Sequence, residues 1–439
     1  MRRDAVLASL FLLMTQSELL PTTDPMTSPD SYPDLERRIR DRIESDGPIT
    51  FAEFMDQALY GDGGYYTRPH GISPISPEGD YFTSPSSHPA FGALIAVQLR
   101  DFWELLGQPD VFDAVELGSG DGTLARDMVD YSRRLGGGFS EALRYTEFDR
   151  STSDLGALPA GITGCVLSNE LLDAFPVHRF VIDGGAVLEL YVGVEDGVLV
   201  ESVGSVSTPE IAERVAPFIP DLPDGYRGEV NLGFRAWADR MAGILERGYV
   251  LTIDYGEMAR ELYRPGRAEG SLRAYYRHTL SQNPFRHVGD QDLTAHVDFS
   301  AVDTELAAAG FKAMGMTTQT AFLDRLGIRS LLAHLPGLGL PAGEVDRNRM
   351  PMLWLARPDG LGRFKVAFHS RGVEGRSPIG LDSRGSGHDP LLLPPVTLAR
   401  DDSHFDLVGG AYPDSVGGGS SEFTATWAEL LGGDEETKQ

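Results

Sequence analysis

The sequence predicts an α/β fold with a helical N-terminal extension and an inserted β-meander. Three observations predict it. The apolar run Val111 to Leu117 leads straight into a glycine-rich turn and then a helix, the order that opens a parallel sheet. Apolar strands and amphipathic helices keep alternating beyond that turn. Between Val177 and Val200 an alternating stretch is interrupted at Asp183-Gly184-Gly185 and again at Asp196-Gly197, the signature of successive hairpins.

The chain has 439 residues, enough for one large α/β domain with insertions or for two domains, and 41% of them are apolar, enough to fill a core. Residues 1–32 read as an unstructured lead-in. Met1-Arg2-Arg3 precedes an apolar run, Ala5 to Met14, that has the shape of a weak targeting signal. The run lacks a small-residue cleavage site and is too short to span a bilayer, and Met26 is an equal candidate for the start. Residues 33–110 are expected to form a helical and loop cap. In it, Thr50 caps a helix Phe51 to Leu59, with Glu53 completing a capping box, and Phe91 to Leu106 is a helix with an apolar face. The long Gly/Pro/Ser/Tyr-rich loop over 60–90 has the length of a functional loop.

Residues 111–374 are expected to form the α/β domain, with an insertion near 177–228. Strands are expected at Val111 to Leu117, Ala142 to Phe148, Gly164 to Ser168 and Gly248 to Asp254, and a final pair at Met352 to Ala356 and Phe364 to Phe368. Helices are expected at Thr123 to Leu135, Thr208 to Phe218, Val230 to Arg247 and Ser300 to Ala309. Beyond residue 375 the Gly/Ser/Asp/Pro-rich composition buries little apolar surface, so 375–439 reads as a poorly ordered tail with a short helix, Thr424 to Leu431.

With 38 basic against 65 acidic residues the net charge is −27, which repels phosphate backbones and disfavours nucleic acid as a partner; it suits a cationic one. The single cysteine, Cys165, excludes an intramolecular disulfide, fits a reducing compartment and reads as a buried small residue. No spacing of His, Cys and carboxylates points to a metal, and no other segment is apolar enough for a membrane helix.

The chemistry is concentrated at Gly118-Ser119-Gly120-Asp121-Gly122. Glycines let a backbone turn tightly and approach a ligand, and the helix opening at Thr123 presents free N–H groups. The dinucleotide pattern needs a glycine where Thr123 stands; here the third glycine falls one place earlier, at Gly122. With Glu116 two residues before the first glycine, this is the form typical of proteins that bind S-adenosyl-L-methionine (SAM). Glu147, at the end of the next strand, is placed to accept both hydroxyl protons of a ribose; the alternative is a surface Glu in a loop. Ser168-Asn169-Glu170-Leu171-Leu172-Asp173 follows another strand, where open α/β sheets bind substrate. Glu170 and Asp173 can orient an acceptor, hold its positive charge and take its proton, with Asn169 beside them; they can equally pack against a loop glycine and cap a helix. Tyr255, closing a strand in Asp254-Tyr255-Gly256, and the pair His296 and Asp298 are candidates for the substrate cleft. Plain turn chemistry, or a polar pair satisfying itself, would explain them as well.

Several of these segments together resemble the MidA family of SAM-dependent methyltransferases. They are Tyr60-Gly61 through Tyr66, Gly79 to Pro85 with Phe91-Gly92, Glu116 to Gly122, Asn169 to Val177, Ile253 to Gly256, Asp292 to Phe299, Thr318-Gln319 with Phe322-Leu323, and Leu326-Gly327-Ile328. The resemblance spans roughly residues 33–370. It implies a Rossmann-like class I methyltransferase sheet and SAM as cofactor, held by Glu116, Gly118, Ser119, Gly120, Gly122 and Glu147, with Asp80 and Thr83 closing over it. For the mitochondrial members it implies dimethylation of an arginine on a respiratory complex I subunit. The expected substrate is therefore an arginine-containing protein, in the cytoplasm or, in a eukaryote, the mitochondrial matrix. The alternatives are another methyl acceptor or a non-catalytic assembly factor. Two positions depart from the family pattern. Ser86 stands where a Glu is usual. About fifteen residues lie between Asp149 and Cys165, too few for the usual helix and strand, so the sheet is expected to lack a strand there and the adenine pocket to be open.

Overall fold

The computed structural model describes residues 33–67, 83–149, 158–276, 279–281, 283–382, 392–398 and 404. The expected leader, Asp80, the Thr424–Leu431 helix and most of the expected tail lie outside the described residues.

The N-terminal extension begins with the helix Pro33–Asp46, the two-residue strand β1 (Ile49–Thr50) and the helix Phe51–Tyr60. The capping box forms as the sequence predicts: Glu53 N–H donates to the Thr50 hydroxyl and the Thr50 N–H to the Glu53 carboxylate, both at 3.1 Å. Next come the single turn Ser84–Ser87 and the helix Ala90–Leu105, then β2 (Phe112–Leu117), the helix Thr123–Leu135, β3 (Leu143–Phe148) and β4 (Ile162–Asn169). The meander is β5 (His178–Asp183), β6 (Ala186–Glu195) and β7 (Val198–Gly204), with its turns at the predicted glycines; β8 (Arg227–Val230) and β1 join the same five-stranded sheet.

The chain returns through the helix Phe234–Ile244 to β9 (Leu245–Asp254) and β10 (Gly256–Glu257). A small sheet follows, of β11 (Arg273–Tyr276), β12 (Thr279–Ser281) and β13 (Asp292–Thr294), and then β14 (Val297–Asp298), which pairs with β10. The helix Phe299–Ala308 and β15 (Lys312–Thr318) lead to three helices, Gln319–Leu326, Ile328–His334 and Ala342–Leu355, and to β16 (Lys365–Arg371).

The central sheet has the order β15-β16-β9-β4-β2-β3, with β3, β2, β4 and β9 parallel and β15 and β16 antiparallel. Both faces of the inner strands are covered, which is why β2, β4 and β9 carry the apolar runs while the edge strands β3 and β15 do not. Successive residues point to opposite faces. Phe112 and Ala114 join one layer with Leu94, Leu99 and Phe102 of the long helix, while Val115 and Leu117 join the other with Phe234, Trp237, Phe299 and Val302. Each buried Phe or Leu here stabilises the fold by about 1.5–3 kcal/mol. Phe102 stacks on Tyr249 with ring centres 4.0 Å apart. Cys165 is fully buried between the layers, as its apolar surroundings predict.

Four expectations are corrected. Met352 to Ala356 is the end of a helix, not a strand. Its buried residues Asn348, Pro351, Met352 and Leu355 follow a helical spacing that the apolar run conceals. The partner of β16 is instead β15, an edge strand whose mostly exposed side chains carry little apolar signal. The expected helix over Val230 to Arg247 is shorter at both ends, yielding to β8 and β9. Part of the expected tail is anchored: Ile379 is buried, its N–H donates to Asp101 at 2.9 Å, and the Gly380 N–H donates to Gln98 at 2.9 Å. Among the described residues the sheet ends at β3, and residues 150–157 of the connection after it lie outside them.

Candidate active site

The C-terminal ends of β2, β3, β4 and β9 lie side by side, about 4.8 Å from strand to strand. Glu116, the glycine turn, Glu147, Asn169, Glu170, Asp173 and Tyr255 fall along this row, whereas Thr83, His296 and Asp298 come from other segments. At one end is the glycine turn. Gly118, Gly120 and Gly122 all have left-handed φ, at 76°, 56° and 75°. The turn is tied to the end of β3: the Gly118 and Ser119 N–H groups donate to the Phe148 carbonyl at 2.8 and 3.3 Å, and the Gly120 N–H to Asp149 at 3.2 Å. Glu147 lies over the turn, so close that a Cβ on Gly122 would sit 2.7 Å from its Oε1; a Cβ on Gly118 would meet Leu171 at 2.9 Å. No side chain caps the helix that starts at Thr123 through its Gly122 cap position. Asp121 instead takes the Thr123 N–H at 3.0 Å, and the result is a cradle of three glycines facing the helix start and the exposed Glu147 carboxylate, features that fit a nucleoside with a polar tail. Glu116 is buried beneath this end and accepts from the Tyr145 hydroxyl at 2.5 Å; burial pushes its carboxyl up to about 8 against that hydrogen bond.

Two strands along, at the ends of β4 and β9, three carboxyls converge. Glu170 is held at φ 51°, an unusual conformation for a residue with a side chain, and its N–H donates to Ile253 at 2.9 Å. Strain of this kind, of order 1 kcal/mol, persists where the surroundings enforce it and clusters at functional sites. Glu170 Oε1 accepts from the Ser84 N–H at 3.2 Å and from Asn169 Nδ2 at 2.9 Å. Burial, and then the neighbouring Asp173, push its carboxyl up to about 8. Asp173 is buried and pushed up to about 6 by that burial, with the Tyr255 hydroxyl opposing the shift. Asn169 Oδ1 and Asp173 Oδ1 are both buried acceptors with no donor among the described residues.

The third carboxyl, Asp254, has a structural task. Its Oδ2 accepts from the N–H groups of Leu171, Leu172 and Asp173 at 3.2, 2.9 and 3.4 Å, and its Oδ1 from Tyr255 at 2.8 Å. It thereby shapes the turn that carries Glu170 and Asp173. Sequence reasoning placed Asp254-Tyr255-Gly256 at the end of a strand, with the cleft or plain turn chemistry as its use, and did not assign Asp254 its bonds to the distant turn at Leu171–Asp173. It also missed Ser84, whose backbone reaches Glu170 from far away in the chain, and Gln319, whose amide donates to the Ser84 hydroxyl at 3.1 Å and to the Leu355 carbonyl at 3.0 Å. Thr83 is buried and its N–H is capped by Ser86 at 2.9 Å, so Ser86 shapes the turn that presents Ser84.

His296 and Asp298 do not form a pair. Asp298 caps the following helix, its Oδ1 accepting from the Ser300 and Ala301 N–H groups at 2.9 and 3.1 Å, so its expected place in the cleft is corrected. The His296 ring lies edge-on to Tyr255, with ring centres 5.6 Å apart. Arg267 donates to its Nδ1 at 2.9 Å, which fixes a neutral ring because a guanidinium can only donate. Burial and the surrounding cations push His296 down to about 3. The N-terminal extension closes this end: the Tyr60 hydroxyl donates to the Ala174 carbonyl at 3.0 Å and the Tyr66 hydroxyl to Asp292 at 2.9 Å.

A family model described as "Putative S-adenosyl-L-methionine-dependent methyltransferase" matches residues 94–154 and 148–317. The chain is 28% identical over 389 residues to the mitochondrial protein arginine methyltransferase NDUFAF7 homolog of Drosophila melanogaster, covering 77% of this chain and 85% of that one. It is 27% identical over 340 residues to the mitochondrial protein arginine methyltransferase NDUFAF7 of Rattus norvegicus, covering 66% and 74%. A crystal structure from Burkholderia thailandensis with S-adenosyl-homocysteine bound superposes with a TM-score of 0.69 at 28% identity, covering 81% of this chain and 97% of that one.

Proposed function

The chain belongs to the MidA family of SAM-dependent methyltransferases, and from that premise we propose that it methylates an arginine side chain of a protein. The observation that carries this reading is the set of buried acceptors without donors at the end of β4. Asn169 Oδ1 and Asp173 Oδ1 have no partner, and Glu170 bonds through Oε1 alone, leaving Oε2 open among the described residues. A buried acceptor left unpaired costs about 1–3 kcal/mol, and a guanidinium, which has five donors and no acceptor, is a chemical match for several at once. The arginine methyltransferases among the relatives support the same acceptor.

The cofactor would rest on the glycine turn, with Gly118, Ser119, Gly120 and Gly122 as the close-approach surface, Glu147 on the ribose hydroxyls, Glu116 supporting the turn from below and Thr83 at the rim. Bound SAM supplies an electrophilic methyl group on a sulfonium. Glu170 and Asp173 pair with the incoming guanidinium, whose charge draws their raised carboxyls back to the ionised form. Asn169 fixes the plane of the guanidinium, and Tyr255 and His296 wall the cleft. As the new bond to the guanidinium nitrogen forms, Glu170 accepts the proton that the nitrogen gives up. Raised to about 8 in the free site, this carboxyl becomes a base once the guanidinium has drawn it to the ionised form. The reaction belongs in the aqueous compartment that holds the substrate protein: the mitochondrial matrix for a eukaryotic chain, as the relatives' names suggest, and the cytoplasm otherwise.

Incubating cell lysate with the protein and isotope-labelled SAM, followed by mass spectrometry, tests the reading. Labelled methylarginine in a discrete protein is the expected outcome. Label found only on lysine, on carboxyl groups or on a small molecule would overturn the arginine acceptor.

A further inference from the structure

Beside the carboxyl cluster lies its opposite. Tyr255 stands between two rings, His296 at 5.6 Å and Phe364 at 5.4 Å. Arginines neighbour both, one bonded to the His296 ring and one next to Phe364 in the chain. Arg267 donates to His296 at 2.9 Å, and its charge is balanced from further off by Glu257 and Glu229. Arg273 lies two residues after Ser271, whose hydroxyl accepts the His296 N–H at 3.0 Å, and it pairs in register with Thr294 on the strand leading to His296. Arg363 precedes Phe364 and is exposed. All three, together with Lys365, act on the His296 ring as like charges. Lys365 is already paired with Glu257 at 2.9 Å. Among the described residues no carboxylate lies within ion-pair distance of Arg273 or Arg363, and the one hydrogen bond of the Arg273 side chain goes to the neighbouring Leu272 carbonyl. A chain with net charge −27 has thus left two guanidinium groups without counter-ions at one rim of its acceptor cleft.

We infer that Arg273 and Arg363, backed by Arg267, form a subsite for a carboxylate of the substrate, the side chain of an Asp or Glu close in sequence to the methylated arginine. The substrate then spans a cleft of two signs. Its guanidinium meets Glu170 and Asp173, its carboxylate meets the arginines, and Tyr255 separates the two. The charge order also rejects a peptide docked the wrong way round, because each pole repels the other's ligand. The inference rests on the arginine acceptor proposed above and adds a specificity determinant to it.

Fluorescein-labelled Gly/Ser peptides with amidated C-termini test it against the full chain by anisotropy at low salt. The central position is Arg or Gln, and a Glu or Gln stands at each offset from one to four residues on either side. At the best offset the Glu peptide should bind about fivefold tighter than its Gln twin, with either central residue, and the gain should shrink in high salt. The double variant Arg273→Gln/Arg363→Gln should lose the gain while unfolding at the same temperature and binding SAM as before; Arg273→Lys/Arg363→Lys should keep part of it. No gain at any offset, or a gain that survives the double Gln variant, overturns the subsite. A Gln peptide with a free C-terminus that gains as much overturns its assignment to a side chain. The central residue is scored independently: equal binding of Arg and Gln peptides would remove the arginine acceptor, whatever the Glu does.

Discussion

The two ends of the candidate site, the glycine turn proposed for the cofactor and the carboxyl cluster proposed for the acceptor, are built on different principles. The glycine turn is local. Strand, turn and helix follow one another within about a dozen residues, and the groups that matter are backbone N–H groups, absent side chains and one exposed carboxylate. The acceptor end is assembled from afar. Glu170 is bonded by Ser84, its turn is shaped by Asp254, and Ser84 is in turn held by Gln319. The cofactor end is open and needs only room. The acceptor end buries three carboxyls against one another and leaves the Asn169 and Asp173 Oδ1 atoms without donors, a costly arrangement that a ligand rich in donors would relieve. Conformational freedom is enough to receive a flexible cofactor, whereas orienting and deprotonating a guanidinium takes an enforced electrostatic environment.

This contrast can be broken most forcefully at the cofactor end. Gly122→Val combines a left-handed φ with a side chain driven into Glu147, so SAM affinity should fall at least a hundredfold by calorimetry. Affinity for an arginine peptide should stay within about twofold. A parallel loss of both would show that the two ends are one unit. The converse variant is Glu170→Gln, which keeps the shape and removes the base. Its kcat should drop about a hundredfold, with SAM affinity unchanged; an unchanged kcat would place proton removal elsewhere.

A pH series sharpens the comparison. Glu116 and Glu170 titrate near 8 and Asp173 near 6 in the folded protein, all above the ordinary carboxyl range. Between that range and about pH 8 the folded state binds more protons than the unfolded one, so stability should fall as pH rises. Methylation should move the other way, because Glu170 and Asp173 must ionise to hold the guanidinium. The melting temperature and kcat/KM of the free enzyme should therefore show opposite slopes from about pH 5 to 8, and Glu170→Gln should remove the upper part of the kcat/KM rise while only reducing the melting-temperature slope, which Glu116 and Asp173 still carry. The smallest effect belongs to Asp298→Ala. Removing the helix cap should cost about 1 kcal/mol in denaturant unfolding and leave kcat alone, since Asp298 serves the scaffold and not the cleft.

The sequence by itself determined the cofactor end. The spacing Glu116, Gly118, Gly120, Gly122 and then Glu147 is a local record of strand, turn, helix and strand, and the structure realises it with Thr123–Leu135 at the predicted bounds. The capping box at Thr50 and the meander turns were legible for the same reason: each is fixed by residues a few positions apart. Only the tertiary structure decided the acceptor end. The role of Asp254, the reach of Ser84 to Glu170, the assignment of Asp298 to a helix cap and the arginines around His296 all depend on segments far apart in the chain. So does the pairing of β15 with β16, an exposed edge without an apolar pattern of its own. Short-range hydrogen bonds and backbone conformation leave a periodic trace in sequence. Burial and the meeting of charges do not, because they arise only when distant segments exclude water together.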